Sequence, residues 1–150
     1  MRIITRNIVG AFIFSSDNKI LLGKSRTGGV YKDCWIVPGG GIEKNESHID
    51  AVKREVLEET GLDISTADIK RIEGHFTGES EKVLKDTNER VLVKMTFFDF
   101  LITFTLPAKD LVTRPEDDLV DVRWFSKEEL QILQLSPPTR TILKLLEILS

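Results

Sequence analysis

The sequence predicts a mixed α/β fold in which a mixed sheet lies between helices. Three observations predict it: β-branched and aromatic runs recur along the chain, one segment of helical period sits between them, and two helical segments close the sequence. The chain has 150 residues, the size of one ordinary domain, and no linker or repeat divides it, so a single domain over residues 1–150 is expected.

In order, "NIVGAFIFSS" (Asn7 to Ser16) reads as a strand, and "ILLGKS" (Ile20 to Ser25) returns after the turn at "DNK". "RTGGVYKD" is a loop, and "CWIVPGG" (Cys34 to Gly40) is a short apolar run broken by proline and glycine. Glu46 to Thr60 has helical period, with Asn45 or Ser47 available as N-cap and Gly61 as the stop. "DIKRIEGHFTGES" (Asp68 to Ser80) is expected to be one strand, Ser80 to Glu89 a polar excursion, and Arg90 to Phe104 a long strand. After an acidic loop, "VDVRWFS" is another strand. Ser126 and Glu129 have the spacing of a capping box. "PPTRTILKLLEIL" is a final amphipathic helix with prolines in its first turn.

Composition sets bounds on function. The net charge of −3 supplies no global basic field for long nucleic acid. The single cysteine, Cys34, excludes a disulfide framework and a zinc-thiolate cluster. With neither a convincing signal peptide nor a stretch of membrane-spanning length, the expectation is a cytoplasmic protein with no membrane partner.

The helix at Glu46–Thr60 carries the chemistry. On a wheel of about 100° per residue, Ile49, Val52 and Val56 form an apolar stripe expected to face the sheet. Glu55, Glu58 and Glu59 form a second stripe roughly a quarter-turn away, at the edge of the buried face. Like charges at this spacing cost helix stability, and a cation relieves the cost. Hard oxygen donors in such a cluster suit Mg²⁺ or Mn²⁺ shared between protein and phosphate. A solvated acidic face, with Lys53 and Arg54 as local counter-ions, is the competing reading of the helix taken alone.

The surroundings separate the two. Gly40, Glu46, Arg54, Glu55, Val56, Glu58, Glu59, Gly61 and Leu62 fit G-x5-E-x7-R-E-U-x-E-E-x-G-U, with U aliphatic. The segment resembles the Nudix box at every position. More loosely, the preceding strand pair, the "W-x-x-P-G-G" lead-in, "VRWF-S-x-E-E-L" and the closing helix are similar to the rest of that family. The resemblance implies an α/β/α sandwich and hydrolysis of a nucleoside diphosphate linked to another group, with Mg²⁺ or Mn²⁺ as cofactor. It implies metal ligands Glu55, Glu58 and Glu59, joined by a backbone carbonyl at Gly39. It makes Gly40, Glu46, Arg54 and Gly61 organising residues, with Glu46 and Arg54 fastening the loop to the helix.

Relatives differ in the base that accepts the proton of the attacking water. Glu116, Asp117, Asp118 and Asp121 are candidates here, as is the box itself. Asp118 is the first choice, because its spacing to Trp124 is similar to that in relatives. The proline and tyrosine marks of ADP-ribose and dinucleoside polyphosphate hydrolases are absent from "GHFTGES". The similarity therefore points to a (deoxy)nucleoside triphosphate cleaved to monophosphate and pyrophosphate. A nucleotide-sugar or other dinucleotide pyrophosphatase is one alternative, and a nucleotide-sensing binding module is another. Arg26 and Lys24 are candidates to meet phosphate, Phe76 to stack on a base, and Ser136, Thr139 and Arg140 to contact it. A small nucleotide is the expected partner, and a monomer or homodimer the expected state.

Overall fold

The computed structural model describes residues 1–25, 33–116 and 119–150. Within them a sheet of eight strands runs β3-β2-β1-β7-β5, with β4 also on β1, β6 on β7 and β8 on β2. The strands are β1 (Arg2–Phe14), β2 (Ile20–Ser25), β3 (Trp35–Ile36), β4 (Gly39–Gly41), β5 (Asp68–Arg71), β6 (Phe76–Val83), β7 (Arg90–Thr103) and β8 (Leu119–Phe125). The helices are α1 (His48–Thr60), α2 (Lys127–Leu130) and α3 (Pro137–Leu145).

The centre of the sheet is a parallel pair. β1 lies beside β7 from Arg2 opposite Val91 to Phe14 opposite Thr103. The other pairings are antiparallel. Period-two alternation along the strands sorts their apolar residues onto two faces. Val9, Ala11, Ile13 and Leu21 pack with Ala51, Val52 and Val56 of α1. Phe12, Phe14, Ile20 and Leu22 pack with Leu130, Leu135, Ile142 and Leu143 on the side of α2 and α3. This is the expected sandwich, with helices on both faces of a mixed sheet.

Several local expectations are corrected. The helix expected from Glu46 begins at His48. Ser47 is its N-cap at φ −71° and ψ 157°, and its hydroxyl accepts a hydrogen bond from the Asp50 N–H. Ile49, placed on the buried stripe by the wheel, is 45% exposed. In the first turn it is His48 that meets the sheet side, its ring 4.3 Å from that of Phe98, and the buried residues further along include Ala51, Val52 and Val56.

The strand expected over Asp68–Ser80 is broken into β5 and β6 around Gly74, whose φ of +142° is a glycine conformation. The expected polar excursion after Ser80 is partly strand, because β6 continues to Val83 opposite Arg90. Its outward residues are charged and meet charges across the ladder, Glu79 with Lys94 and Glu81 with Arg90, which disguised the alternation. The last helix stops at Leu145 rather than running on to Leu149. Glu147 takes a left-handed conformation, and the N–H groups of Ile148 and Leu149 turn back to the Leu143 carbonyl, which tucks Leu149 into the core.

Other local expectations hold. Gly61 ends α1 at φ 77°, its N–H bonding to the Leu57 carbonyl. Ser126 and Glu129 form both bonds of a capping box, and the prolines of α3 occupy its first turn. Leu143→Ala, at a fully buried site, should cost about 2–5 kcal/mol in urea unfolding. Ile49→Ala should stay within about 0.5 kcal/mol, and a comparable loss at both positions would contradict the burial just described.

Candidate active site

The site is built where β4 passes beneath α1. β4 pairs with β1, Gly39 opposite Gly10 and Gly40 opposite Val9. The bare backbone of β4 lets the helix come close. A side chain on Gly40 would begin 2.6 Å from the Glu55 carboxylate. The Gly39 N–H donates to Glu59 Oε1 at 2.8 Å. That bond holds a carboxylate on a residue only 5% exposed, and a buried carboxylate needs such a donor.

The three glutamates differ in exposure along the helix. Glu59 is buried, the Glu55 side chain is 14% exposed and that of Glu58 is 44% exposed. Arg54 is the counter-ion of Glu55 and Glu58. Its Nη1 lies 2.9 Å from Glu55 Oε1 and 3.3 Å from Glu58 Oε2. Its Nε and Nη2 form a fork onto the two oxygens of Glu46 at 2.8 and 2.9 Å, and Nη2 also reaches the Gly41 carbonyl at 3.1 Å. Glu46 Oε1 in turn accepts the Glu43 N–H at 3.0 Å. The guanidinium beside Glu46 lowers that carboxyl to about 2, with the Glu43 N–H adding to the effect. The same contacts raise the Arg54 pKa further.

With the side chains in these positions, no three acidic, histidine or cysteine groups among the described residues converge on one point as a preformed metal cage. The donor chemistry nevertheless fits a hard divalent cation. Oxygen donors of Glu55, Glu58 and Glu59 share one end of the helix beside the Gly39 backbone, and the charge there is strongly negative.

The acidic segment lies against that same end of the helix. The N–H groups of Arg114 and Glu116 donate to the carbonyls of Thr60 and Glu59 at 2.8 and 3.0 Å. These bonds satisfy carbonyls that a helix end leaves open. Glu116 therefore sits one backbone hydrogen bond from Glu59. Asp121 is further along on β8, its carboxylate 3.0 Å from Arg123. Asp117 and Asp118 lie outside the described residues, as does Arg26. Lys24 is placed with its Nζ 5.5 Å from the Trp35 ring.

A pocket of about 460 Å³ opens on the other face, between β6, β7 and the first turn of α3, within the size range of small-molecule sites. Phe76 lines it, with Phe97 opposite on the ladder and Pro137, Pro138 and Thr141 across from them. Thr139 and Arg140 are not among its lining residues. Thr139 is buried, and its hydroxyl accepts a hydrogen bond from the Ser136 hydroxyl at 2.8 Å; Arg140 is exposed. Asp99 also lines the pocket, and sequence reasoning missed it. Burial raises its carboxyl to about 6 against the opposing pull of Arg71. The available signal was one acid in the apolar run "MTFFDFLITF".

A sandwich carrying this loop and helix defines a class, the pyrophosphohydrolases that act on phosphoanhydride bonds. A profile of the NUDIX domain matches residues 4–146, and the chain belongs to that family. Its members act on small nucleotide substrates and generally use divalent cations. The nucleoside triphosphatase NudI of Enterobacter sp. (strain 638) is 27% identical over 90% of this chain and 92% of that protein. An ADP-ribose pyrophosphatase of Methanocaldococcus jannaschii is 50% identical, but over 33% of this chain and 29% of that protein. The structure of a MutT protein from Methanosarcina mazei Go1 superposes with a TM-score of 0.70 at 22% identity, over 98% of this chain and 96% of that one. Among the described residues no helix is long and apolar enough to cross a membrane.

The lowered Glu46 carboxyl fixes the sign of a pH effect. The folded state favours its ionised form, so its contribution is complete above the ordinary value of 4.5 and is lost as pH falls toward about 2. Glu46→Gln should therefore flatten the acid limb of the melting temperature between pH 4.5 and 2. Parallel limbs for variant and wild type would show that the pair adds no stability.

Proposed function

We propose that the chain hydrolyses a (deoxy)nucleoside triphosphate to the monophosphate and pyrophosphate, with Mg²⁺ or Mn²⁺ held by Glu55, Glu58, Glu59 and the Gly39 carbonyl. The observation that carries this reading is the gathering of the three carboxylates beside the bare backbone of β4. The triphosphate branch is supported by the relative named a nucleoside triphosphatase, which matches over nearly its whole length. The match to the ADP-ribose pyrophosphatase covers under a third of that protein.

When bound, the cation neutralises phosphate charge and acidifies water. The residues of the chain do the rest. Gly39 orients Glu59 through its N–H. Were Glu55 and Glu58 to hold the cation, Arg54 would keep its bonds to Glu46 and the Gly41 carbonyl, and the loop would stay fastened to the helix. The acidic segment, tied to the end of α1 through Arg114 and Glu116, supplies the base. Asp118 takes the proton as water oxygen bonds to phosphorus and the bridging P–O bond breaks, releasing pyrophosphate. Phe76 offers its ring to the base of the nucleotide in the pocket beneath α3. Arg26 meets phosphate. Thr139 acts indirectly, by holding the first turn of α3 with Ser136, and Arg140 lies exposed one residue beyond.

Nucleoside triphosphates incubated with Mg²⁺ should give pyrophosphate rather than orthophosphate, and EDTA should abolish turnover until Mg²⁺ or Mn²⁺ is restored. Full activity in chelator would sink the metal assignment, and much faster cleavage of ADP-ribose than of any triphosphate would move the substrate. Binding without turnover of any nucleotide would indicate a sensing module instead.

Glu58→Gln and Glu59→Gln should lose at least about 10²-fold in kcat and most of the Mg²⁺-induced rise in melting temperature, since that rise requires metal binding to the folded state. Asp118→Asn should keep the rise while kcat falls by about 10²–10⁴. Near-normal turnover in Asp118→Asn would transfer the base role to Glu116, Asp117, Asp121 or the box.

A further inference from the structure

The pocket beneath α3 contains a group that the proposed hydrolysis does not use. Asp99 is 5% exposed, sits in the middle of β7 and lines the cavity beside Phe76 and Phe97. Its carboxylate accepts no hydrogen bond from any described residue, and the attraction that it feels comes from Arg71. On the neighbouring strand Gly10 stands directly opposite, and a Cβ there would collide with Asp99 Oδ1. The fold thus gives up a side chain on its central strand to make room for a carboxylate that no described residue hydrogen-bonds. A buried carboxylate in that condition is costly unless a partner arrives from outside.

The walls limit what that partner is. Phe76 and Phe97 face each other across the β6–β7 ladder, and Pro137 and Pro138 cover the other side. The two prolines occupy the first turn of α3 and have no N–H to offer, while the Ser136 hydroxyl takes the N–H of Thr139. That helix end is an apolar wall rather than an anion site. His75, Thr77, Glu79 and Thr141 also line the pocket and offer partners to sugar hydroxyls, while a flat heterocycle stacks on the phenylalanines and prolines. The carboxylate then meets the edge of the ring with two acceptors and no donor.

We propose that Asp99 is the specificity-determining residue of this pocket and selects a guanine-type base, whose N1–H and 2-amino group are adjacent donors matching the two carboxylate oxygens. Adenine and cytosine present a donor beside an acceptor, and the acceptor would face an oxygen of Asp99. Uracil presents a single N–H between two carbonyls. Hypoxanthine keeps N1–H and lacks the 2-amino group. The proposal rests on the pocket being the base site of the reaction proposed above, but base binding is measurable without hydrolysis.

The test is binding of GMP, IMP, AMP, CMP and UMP to the full chain in EDTA at pH 8, by calorimetry, for wild type and Asp99→Asn. Wild type should bind GMP about ten- to a hundredfold more tightly than IMP or AMP, the scale of a hydrogen bond to a charged group. Asp99→Asn, which presents one donor and one acceptor, should lose that preference and gain affinity for AMP or CMP. Such a gain cannot come from a misfolded variant. Equal weakening of all five nucleotides would mean that Asp99 meets the ribose, and an unchanged order would mean that it meets nothing; either overturns the proposal. If no triphosphate is hydrolysed while GMP binding still depends on Asp99, the hydrolysis reading fails and the specificity reading stands. If triphosphates are hydrolysed and base choice does not depend on Asp99, the specificity reading fails and the hydrolysis reading stands.

Discussion

The guanidinium of Arg54 is the interaction on which the site depends. It is planar and permanently charged, and it presents several donors at once. One edge forks onto Glu46 while Nη1 reaches Glu55 and Glu58. A lysine has one ammonium and cannot hold the loop carboxylate and two helix carboxylates in separate directions. The bond to the Gly41 carbonyl adds the backbone of β4 to the same group. Loop, strand and helix are therefore registered against each other by one side chain, and the negative charge at the end of α1 is tolerated because of it.

The long central pair of strands explains why the α1 carboxylates and the pocket beneath α3 lie where they do. β1 carries Gly10, which touches both of them. Through its pairing with Gly39 it sets the height of β4 under α1, and through its missing side chain it admits Asp99. The carboxylates of α1 are on one face of the sheet, and Asp99 shares the other with Phe76 and α3. A substitution at this one glycine would disturb both.

How far the sequence could be read depended on the range of the interactions involved. The helix stop at Gly61, the capping box at Ser126 and the clustering of Glu55, Glu58 and Glu59 are local patterns, and all were legible. The ion pair of Glu46 with Arg54 was legible through the resemblance, and the structure has Glu46 just ahead of the helix. Ile49 misled because periodicity gives the direction of a side chain but not whether the sheet extends beneath it. The break at Gly74 and the charged alternation of β6 were hidden because their partners lie on β7, far along the chain. Asp99 was missed on the same grounds. Its meaning comes from Gly10 and from the prolines of α3, which no local window contains. Thr139, read from the sequence as a base contact, has its hydroxyl engaged in the cap of the helix.

The parallel pairing at the centre of the sheet also sets the order in which the molecule can be assembled. Arg2 lies beside Val91 and Phe14 beside Thr103, so the first strand made waits for one of the last before it has its long neighbour. Closing such a distant contact is slow relative to forming hairpins and helices. During synthesis the complete box, from Gly40 to Leu62, emerges well before β7. The nascent chain therefore carries the whole glutamate motif on a helix whose supporting sheet has β1 to β4 but still lacks β7. β7 brings Asp99 beside β1 late in synthesis, and the acidic segment and the α3 wall of the pocket follow later still.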